Sequence, residues 1–336
     1  MYHLEQNYRS TQTILDAASS LIARNTTHPV LKLWTSQGKG GKVQVFEAMN
    51  ERDESRFVVA TIKEGVNGGG SRQYKDFAIL YRTNAQSRPI EEALVREGIP
   101  YQLVGGTRFY QRKEIKDLLA YLRLVVNPED AVSQERALKV GARRLEKFLE
   151  WQKNLGESLR KKATVVLLER ILEITKYLEL YDEEDEEDAM RIENIKELAS
   201  VAKEFPDLVL FLENVALVEN DRLRDARDKA GDDDNRVTLM TMHAAKGLEF
   251  PVVFLIGMEE GLFPHSRAML DKEELEEERR LAYVGMTRVK ERLYLTYAQQ
   301  RLYFGSRNRN LVSRFVGEIP EELIEFAERR FDLLDF

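Results

Sequence analysis

The spacing of apolar residues changes twice along this chain of 336 residues, and the changes restrict the folds that it can adopt. The first hundred or so residues alternate strand-like runs with segments of helical spacing. From about Gln111 to Asp234 only helical spacing is found, and strand-like runs then return. Because alternating strands and helices form parallel sheets, we predict an α/β domain built from residues 1–110 and 235–336. An all-helical domain of residues 111–234 would be inserted into it.

Within this plan, most segments have a definite predicted structure. A helix is expected after Ser10, whose hydroxyl suits a helix cap, and two more at 53–66 and 86–97. The acidic run at 182–188 is expected to be a solvated loop, since like charges at that density repel. The polar stretch 224–235 is expected to be a linker. The predicted strands are KVQVFEA, FAILYRT, VTLMTMH, VVFLIGM and RLYLTYA, and the helices of the inserted domain are 112–126, 135–155, 163–180, 190–205 and 207–218.

The composition excludes several classes of protein. No run approaches the roughly 18 consecutive apolar residues of a membrane span, and the N-terminus lacks a secretion signal. There is no cysteine for disulfides or thiolate metal sites, and the four histidines are too scattered to suggest a metal cluster. The net charge of −7 argues against a generally basic surface, so any DNA contact must come from a local groove. We therefore expect a cytoplasmic protein without a metal site of its own.

Three segments of the α/β domain carry unusual polar residues at strand ends or helix starts, where ligands of such sheets usually bind. Tyr8 and Arg9 precede the first helix, so the ring can stack on a base and the guanidinium can reach a phosphate. Lys246 and Glu249 accompany a turn of small residues. Arg288 lies near the end of a helix, where it can stabilise charge on a γ-phosphate. The segments are LEQNYRS, TMHAAKGLEF and EEERRLAYVGMTR.

Each segment taken alone also fits an ordinary structural role. Tyr8 and Arg9 can be an exposed pair, the turn can simply join a strand to a helix, and Arg288 can form a surface ion pair. The three segments together favour a nucleotide site. The loop NGGGSRQ is better explained as a flexible connector, because no Lys-Ser or Lys-Thr pair follows its glycines to open a helix.

In this order the three segments resemble motifs IV, V and VI of the UvrD/Rep/PcrA-type superfamily 1 DNA helicases, and the match is close to verbatim. FAILYRTNAQSR and FYQRKEIKD are similar to connecting blocks of that family, so the resemblance covers almost the whole chain. It implies the C-terminal half of an ATP-dependent 3′–5′ DNA helicase, an ATP hydrolase. In the family this half is a RecA-like domain, 2A, interrupted by a helical domain, 2B.

The resemblance also implies roles for single residues. By likeness to motif IV, Tyr8 would stack near the adenine and Arg9 would contact the γ-phosphate. By likeness to motif VI, Arg288 would be the second γ-phosphate arginine, and Glu249 would bind the ribose. The residues implied in single-stranded DNA binding are Arg82, Asn84, Thr241, His243 and Phe304, the last by stacking on a base.

The resemblance covers one half of a nucleotide site. In the family, ATP binds between 2A and a first RecA-like domain earlier in the chain. No GxxxxGK[ST] occurs in this sequence, and GKGGKV near Gly41 lacks both the spacing and the hydroxyl residue. We therefore expect ATP with Mg²⁺ as cofactor, metal ligands in the N-terminal half, and negligible hydrolysis by this chain alone. Met1 then follows a cut in a longer protein or marks a natural truncation.

The expected partners are the N-terminal RecA-like half, single-stranded DNA, single-strand/duplex junctions, and repair or replication proteins, with the protein associated with the nucleoid in a prokaryote. Where the family usually carries a Gly-Ile-Gly loop that grips duplex DNA, this chain has VGARRLEKF, in which Arg143 and Arg144 could substitute. The alternative hypothesis is a non-catalytic module that binds DNA or a partner protein.

Overall fold

The computed structural model of the chain describes residues 5–26, 32–68, 72–155, 162–220, 235–303 and 306–328. The chain divides into two compact units. The sheet unit takes its residues from Met1–Gly106, Lys229–Arg301 and Asn308–Phe336, and the helical unit from Thr107–Asp228 and Leu302–Arg307. The sheet unit is thus assembled from separated stretches of the chain.

The sheet unit is built on a parallel sheet. In the described part of the chain the strands are β1 Gln6–Asn7, β2 Trp34–Thr35, β3 Val43–Ala48, β4 Phe77–Tyr81, β5 Tyr101–Val104, β6 Val237–Thr241, β7 Phe250–Leu255, β8 Val289–Ala298, β9 Arg301–Tyr303, β10 Ser306–Asn308 and β11 Ile324–Phe326. Seven of them form one sheet in the order β11-β3-β8-β7-β4-β6-β5, and each neighbouring pair is parallel. The predicted α/β fold with a parallel sheet is confirmed.

Helices cover both faces of this sheet, which leaves its central strands buried on both sides. The described α-helices are α1 Gln12–Ile22, α2 Glu51–Asn67, α3 Ser87–Arg96, α4 Lys113–Val126, α5 Ala131–Val140, α6 Ala142–Leu155, α7 Thr164–Thr175, α8 Glu186–Glu204, α9 Leu208–Asn220, α10 Lys272–Met286 and α11 Arg314–Gly317. Because side chains alternate along a strand, Ala78 and Leu80 of β4 pack in one core with α1 and α10, and Phe77 and Ile79 pack in the other with α2 and α3.

The helical unit has its own apolar core around α4. Helices α5, α7, α8 and α9 all contact α4, and most of its residues are buried. Aromatic side chains fill much of this core, where the ring of Tyr121 meets that of Phe148 edge to face at a centroid distance of 5.0 Å. Six helices packed in this way bury enough apolar surface to form a separate compact unit in the described chain.

Ser10 does not cap α1, so that prediction is wrong. The residue at the N-cap is Thr11, whose side chain makes no capping hydrogen bond. Ser10 is buried, and its hydroxyl donates to the carbonyl of Val289. The first N–H groups of α1 instead donate to the carbonyls of Gly38 and Lys39, both at 2.9 Å. The first two N–H groups of α1 are therefore already paired with backbone carbonyls and do not offer a binding site for an anion.

Two predicted helices of the helical unit end earlier than expected. The segment 135–155 is two helices, α5 and α6, separated by Gly141 with φ 154°. This conformation suits glycine, which has no Cβ to clash. The segment 163–180 leaves the α-helix after Thr175, where Lys176 has φ 48° and a 3-10 helix follows at Tyr177–Leu180. Periodicity continued across both breaks because apolar residues on either side face the same core.

The acidic run at 182–188 is only partly a loop, so its assignment as a solvated loop is wrong for the second half. Asp185 caps α8 by accepting a hydrogen bond from the N–H of Asp188 at 2.9 Å. The acidic residues of the first turn then lie at the positive end of the helix dipole, and Arg191 pairs with both Glu187 and Asp188. The dipole and the arginine offset the like-charge repulsion on which the loop prediction rested.

Two other predictions fall mainly outside the described residues. These are the linker at 224–235, of which only Asn235 is described, and the centre of the NGGGSRQ loop at 69–71. Among the helices that the structure describes, none combines the length and the apolar character needed to cross a membrane.

Candidate nucleotide and nucleic-acid sites

The Tyr8–Arg9 segment has a fixed backbone and an open side chain. The Asn7 side-chain oxygen accepts hydrogen bonds from the N–H groups of Arg9 and Ser10, at 2.8 and 2.9 Å. The Gln37 side-chain amide donates to the carbonyl of Tyr8 at 3.1 Å. In contrast, Tyr8 itself is 70% exposed. The loop therefore holds its backbone in place and presents an aromatic surface to solvent.

Arg9 joins the three segments that the sequence singled out. Its Nη1 donates to the carbonyl of Thr287 at 2.9 Å, and its Nη2 pairs with the Glu249 carboxylate. The Nε of Arg9 is buried and has no hydrogen-bond partner among the described residues. A buried donor without a partner costs free energy, so this atom favours a ligand that can accept a hydrogen bond.

Arg288 lies directly after α10 and is half-buried. Its Nε donates to the carbonyl of Val284 at 3.0 Å, and its Nη2 to the Thr287 hydroxyl at 3.1 Å. The last carbonyls of a helix lack intrahelical partners and attract cations. Burial and the nearby positive charge of Arg9 lower the pKa of Arg288, while Glu249 opposes them. Burial is the larger of the two causes, and the charge of Arg9 adds to it.

Glu249 is the acidic group of this cluster and precedes β7 directly. Its second carboxylate oxygen lies 3.5 Å from the Nζ of Lys290. The hydrogen bond from Arg9 lowers the pKa of Glu249, with a further lowering by the charges of Arg9 and Lys290. Glu249 and Arg288 thus stand at the amino ends of β7 and β8. Ligands of parallel sheets usually bind at the carboxyl ends of the strands, whereas this cluster lies at the amino ends.

Carboxyl NMR titration of the labelled chain should show Glu249 ionising below the usual glutamate value of 4.5, because Arg9 favours its charged form. Since the folded-state pKa is lowered, the ion pair stabilises the fold above the unfolded-state pKa and is lost as the pH falls through the folded-state value. Replacing Arg9 with alanine should raise the midpoint towards 4.5. Arg72→Ala removes an arginine that pairs with Glu291 and should leave the midpoint unchanged. A Glu249 midpoint at or above 4.5 in the unaltered chain would contradict the ion pair.

A cleft of about 340 Å³ opens beside this cluster, lined by Gln6, Asn7, Tyr8, Arg9 and Glu249. Polar side chains line it together with the exposed ring of Tyr8. Two arginines and Lys290 surround a single carboxylate in the described part of the site. The surroundings therefore suit an anion that also has a flat apolar group.

The described residues implied in DNA binding lie at the carboxyl ends of the strands, opposite the ends that carry Glu249 and Arg288. Arg82 and Asn84 follow β4, Thr241 ends β6, and His243 begins a 3-10 helix after it. Because β4 and β6 are neighbouring parallel strands, their carboxyl ends lie side by side. His243 is exposed and Arg82 is half-buried. Phe304, the fifth of these residues, lies outside the described residues.

Sequence reasoning missed Glu278, a buried carboxylate that bonds to Arg82. The Arg82 Nε donates to Glu278 Oε1 at 2.8 Å, and the N–H of His265 donates to Glu278 Oε2 at 2.9 Å. Glu278 lies in the segment EEERRLAYVGMTR, but the sequence prediction gave it no functional role. Glu278 lies three and four residues before the buried Leu281 and Ala282, and is therefore on the core-facing side of α10. This spacing was the sequence signal that could have identified it as a buried carboxylate.

The suggested duplex-binding arginines lie at the start of α6 in the helical unit. Arg143 is exposed, whereas Arg144 is half-buried and its Nε has no partner among the described residues. The guanidinium of Arg144 folds back over Gly141, at a distance where an added Cβ would be 3.4 Å from its Nη1. The two neighbouring arginines therefore differ in how freely they can reach a ligand.

The described chain thus combines a parallel α/β unit, a separate helical unit and a cleft beside Arg9 and Glu249, and the comparison with known families shows where this combination belongs. The chain belongs to the family of UvrD-like helicase C-terminal domains, whose family model matches residues 2–165 and 143–300. The resemblance drawn from the motifs is thereby confirmed.

Individual relatives fit the same family. The chain is 44% identical over 369 aligned positions to the ATP-dependent DNA helicase PcrA of Bacillus subtilis, covering 96% of this chain and 50% of that protein. It is 42% identical to the PcrA helicase of Staphylococcus aureus, over 96% of this chain and 50% of the relative. The chain thus spans about half the length of these relatives. A solved structure described as the C-terminal domain of a possible DNA helicase from Lactobacillus plantarum shares 14% identity with a TM-score of 0.42, over 96% of this chain and 99% of that one.

Proposed function

We propose that this chain is the C-terminal motor half of an ATP-dependent DNA helicase that moves 3′ to 5′ along single-stranded DNA. The sheet unit would be motor domain 2A, and the helical unit would be domain 2B. The identity to PcrA helicases supports this function. The observation that carries the proposal is the convergence of Arg9, Glu249 and Arg288, from three separate segments, beside one open cleft.

The residues of the cleft fit a nucleoside triphosphate. Arg9 and Arg288 would contact the γ-phosphate, and the partnerless Nε of Arg9 is a donor that a phosphate oxygen would satisfy. Glu249 would accept a hydrogen bond from the ribose, and the ring of Tyr8 would stack near the adenine. Bound Mg²⁺-ATP supplies the phosphoryl group whose transfer to water drives such motors. The metal ligands are expected in the N-terminal half.

Both arginines are held by hydrogen bonds in the absence of a ligand. Arg9 is oriented by the Thr287 carbonyl, and Arg288 by the carbonyl of Val284 and the Thr287 hydroxyl. Each guanidinium is thus fixed by one short stretch of backbone at the end of α10. Donors that are already oriented need little rearrangement when charge develops on a transferring phosphoryl group.

The second group of residues would form part of a single-strand track. Arg82 would bind a phosphate, while Asn84, Thr241 and His243 would contact the strand from the same edge of the sheet. Phe304 would stack on a base. Glu249 and Arg288 lie at the amino ends of the strands of this sheet, and Arg82 and Thr241 at the carboxyl ends, so the nucleotide and the strand would bind the same unit without competing for space.

The isolated chain is expected to show no ATP hydrolysis above background. Its sequence has no phosphate-binding loop to cradle the β-phosphate or hold Mg²⁺. Adding the N-terminal RecA-like half, in cis or in trans, should restore hydrolysis that oligo(dT) stimulates. Phosphate release with and without oligo(dT) measures both effects.

Strand displacement from substrates with a 3′ or a 5′ single-stranded tail tests the direction. The assembled helicase should unwind only the 3′-tailed substrate. Binding of oligo(dT) without hydrolysis in either form would instead support the non-catalytic module. A helicase of this kind would work in the cytoplasm at the nucleoid, with repair or replication proteins as further partners.

A further inference from the structure

Glu278 connects α10 to the residues that follow β4. Its side chain is 7% exposed, and each carboxylate oxygen accepts one hydrogen bond, from the Arg82 Nε at 2.8 Å and from the N–H of His265 at 2.9 Å. The backbone N–H of Arg82 donates to the Gln86 side chain at 3.0 Å. Both the backbone and the side chain of Arg82 are therefore fixed.

The bond to Glu278 uses only one side of the guanidinium. Arginine has five N–H donors in a planar fork, of which Nε carries one. The hydrogen bond recorded for the Arg82 guanidinium among the described residues is the one at Nε, and 17% of the side chain remains exposed. The four donors on the two Nη atoms stay available. A guanidinium held by its Nε is thus a rigid base for a bidentate phosphate contact.

We propose that Glu278 is a positioning residue for single-strand binding, which acts by holding the Arg82 guanidinium ready for a DNA phosphate. Glu278 does not touch DNA in this arrangement. Its effect comes from the entropy of ordering a long side chain, which it removes before the strand binds. The inference rests on the proposed DNA contact of Arg82, and the experiment below separates a failure of the one from a failure of the other.

Simple electrostatics makes the opposite prediction. Removing a negative charge near the track should tighten binding to an anionic strand. Positioning requires that the neutral variant bind more weakly. The sign of the change in affinity therefore distinguishes the two effects, and a general loss of folding is excluded by a melting temperature within a few degrees of the unaltered chain.

The experiment is a double-mutant cycle on the whole chain, with fluorescence anisotropy of labelled oligo(dT) as the measurement. Glu278→Gln should weaken binding about fivefold, from the ordering cost of one long side chain. Arg82→Gln should weaken it at least as much. In the Arg82→Gln background, Glu278→Gln should have no further effect. The matched control is Glu318→Gln, which breaks the ion pair that Glu318 forms with Arg279, the neighbour of Glu278 in α10, and which should leave the affinity unchanged.

Each outcome decides a different point. The positioning role would be overturned if Glu278→Gln lowered the affinity for oligo(dT) equally in the presence and absence of Arg82. It would also be overturned if the Glu278→Gln single variant bound oligo(dT) as tightly as the unaltered chain, or more tightly. No effect of Arg82→Gln, or no binding by the unaltered chain, would reject the proposed strand contact and the inference with it. If Glu278→Gln does not fold, Glu278→Met has a similar length and no amide N–H opposite that of His265, and the same cycle applies.

Discussion

Arg288→Ala is expected to lower the ATP turnover of the assembled helicase about 10³-fold or more, the loss seen when an arginine that stabilises the transferring phosphoryl group is removed. The guanidinium of Arg288 is anchored at the end of α10 and carries a pKa lowered by burial and by Arg9. Such an arginine lies in an environment where charge on a ligand is poorly screened. Phosphate release at saturating ATP and oligo(dT) measures the effect.

The matched control for Arg288 is Arg280, which lies within α10, the helix that Arg288 follows. Arg280 is 38% exposed and pairs with the exposed Glu277 at 2.6 Å and, more distantly, with the buried Glu276 at 3.6 Å. Arg280→Ala removes the same chemical group from α10 and should change turnover less than about twofold, in line with the small contribution of surface ion pairs. Full turnover in Arg288→Ala would reject its role at the γ-phosphate.

Arg301→Met is expected to lower the free energy of unfolding of the sheet unit by about 3–5 kcal/mol, because it leaves two buried carboxylates without their cation. The Arg301 Nη2 lies 2.6 Å from Glu259 Oε1 and 2.7 Å from Glu54 Oε2. Both glutamate side chains are at most 2% exposed. Burial alone would lower the pKa of Arg301, but these carboxylates hold it well above its usual value. The three charges form one interdependent group.

This group joins separate parts of the sheet unit, so its loss should destabilise the whole unit. Glu54 lies in α2 and also accepts hydrogen bonds from the Thr296 hydroxyl at 2.7 Å and the N–H of Gly257 at 2.9 Å. Glu259 accepts a hydrogen bond from the N–H of Ala298 at 2.8 Å. A helix and the ends of two strands therefore meet at Arg301.

Urea unfolding followed by tryptophan fluorescence measures the loss. A Trp151→Phe background leaves Trp34 as the reporter, which belongs to the sheet unit. The control is Arg314→Met, whose arginine is 37% exposed and pairs with Glu260, and which should cost about 1 kcal/mol or less. Equal losses in the two variants would show that burial does not set the contribution of the Arg301 group.

The parts of this fold that were predictable depend on local pattern. All five predicted strands are present, because a short apolar run rich in β-branched and aromatic residues is visible within a few residues. The edge strand Tyr101–Val104 was missed because it is four residues long and exposes Gln102. The break at Gly141 was missed because the helices on both sides share one apolar core, so that the periodicity continues across it.

The candidate sites depended less on local pattern. Similarity to the family motifs identified Arg9, Glu249 and Arg288 as one group of candidate site residues. It did not show that Arg9 pairs with Glu249, or that Thr287 orients both arginines. Glu278 escaped notice because its partner, Arg82, is 196 positions away along the chain.

By itself, the sequence determined the α/β class, the order of the five predicted strands along the chain, and the family, since each depends on residue type and near-neighbour spacing. Only the tertiary structure decided that Glu249 and Arg288 lie together at the amino ends of the strands, that the first N–H groups of α1 pair with backbone carbonyls, and that Glu278 bonds to Arg82. The physical reason is that these contacts join residues far apart in the chain. Their partners are chosen by strand order and by the packing of α10, which no local spacing encodes.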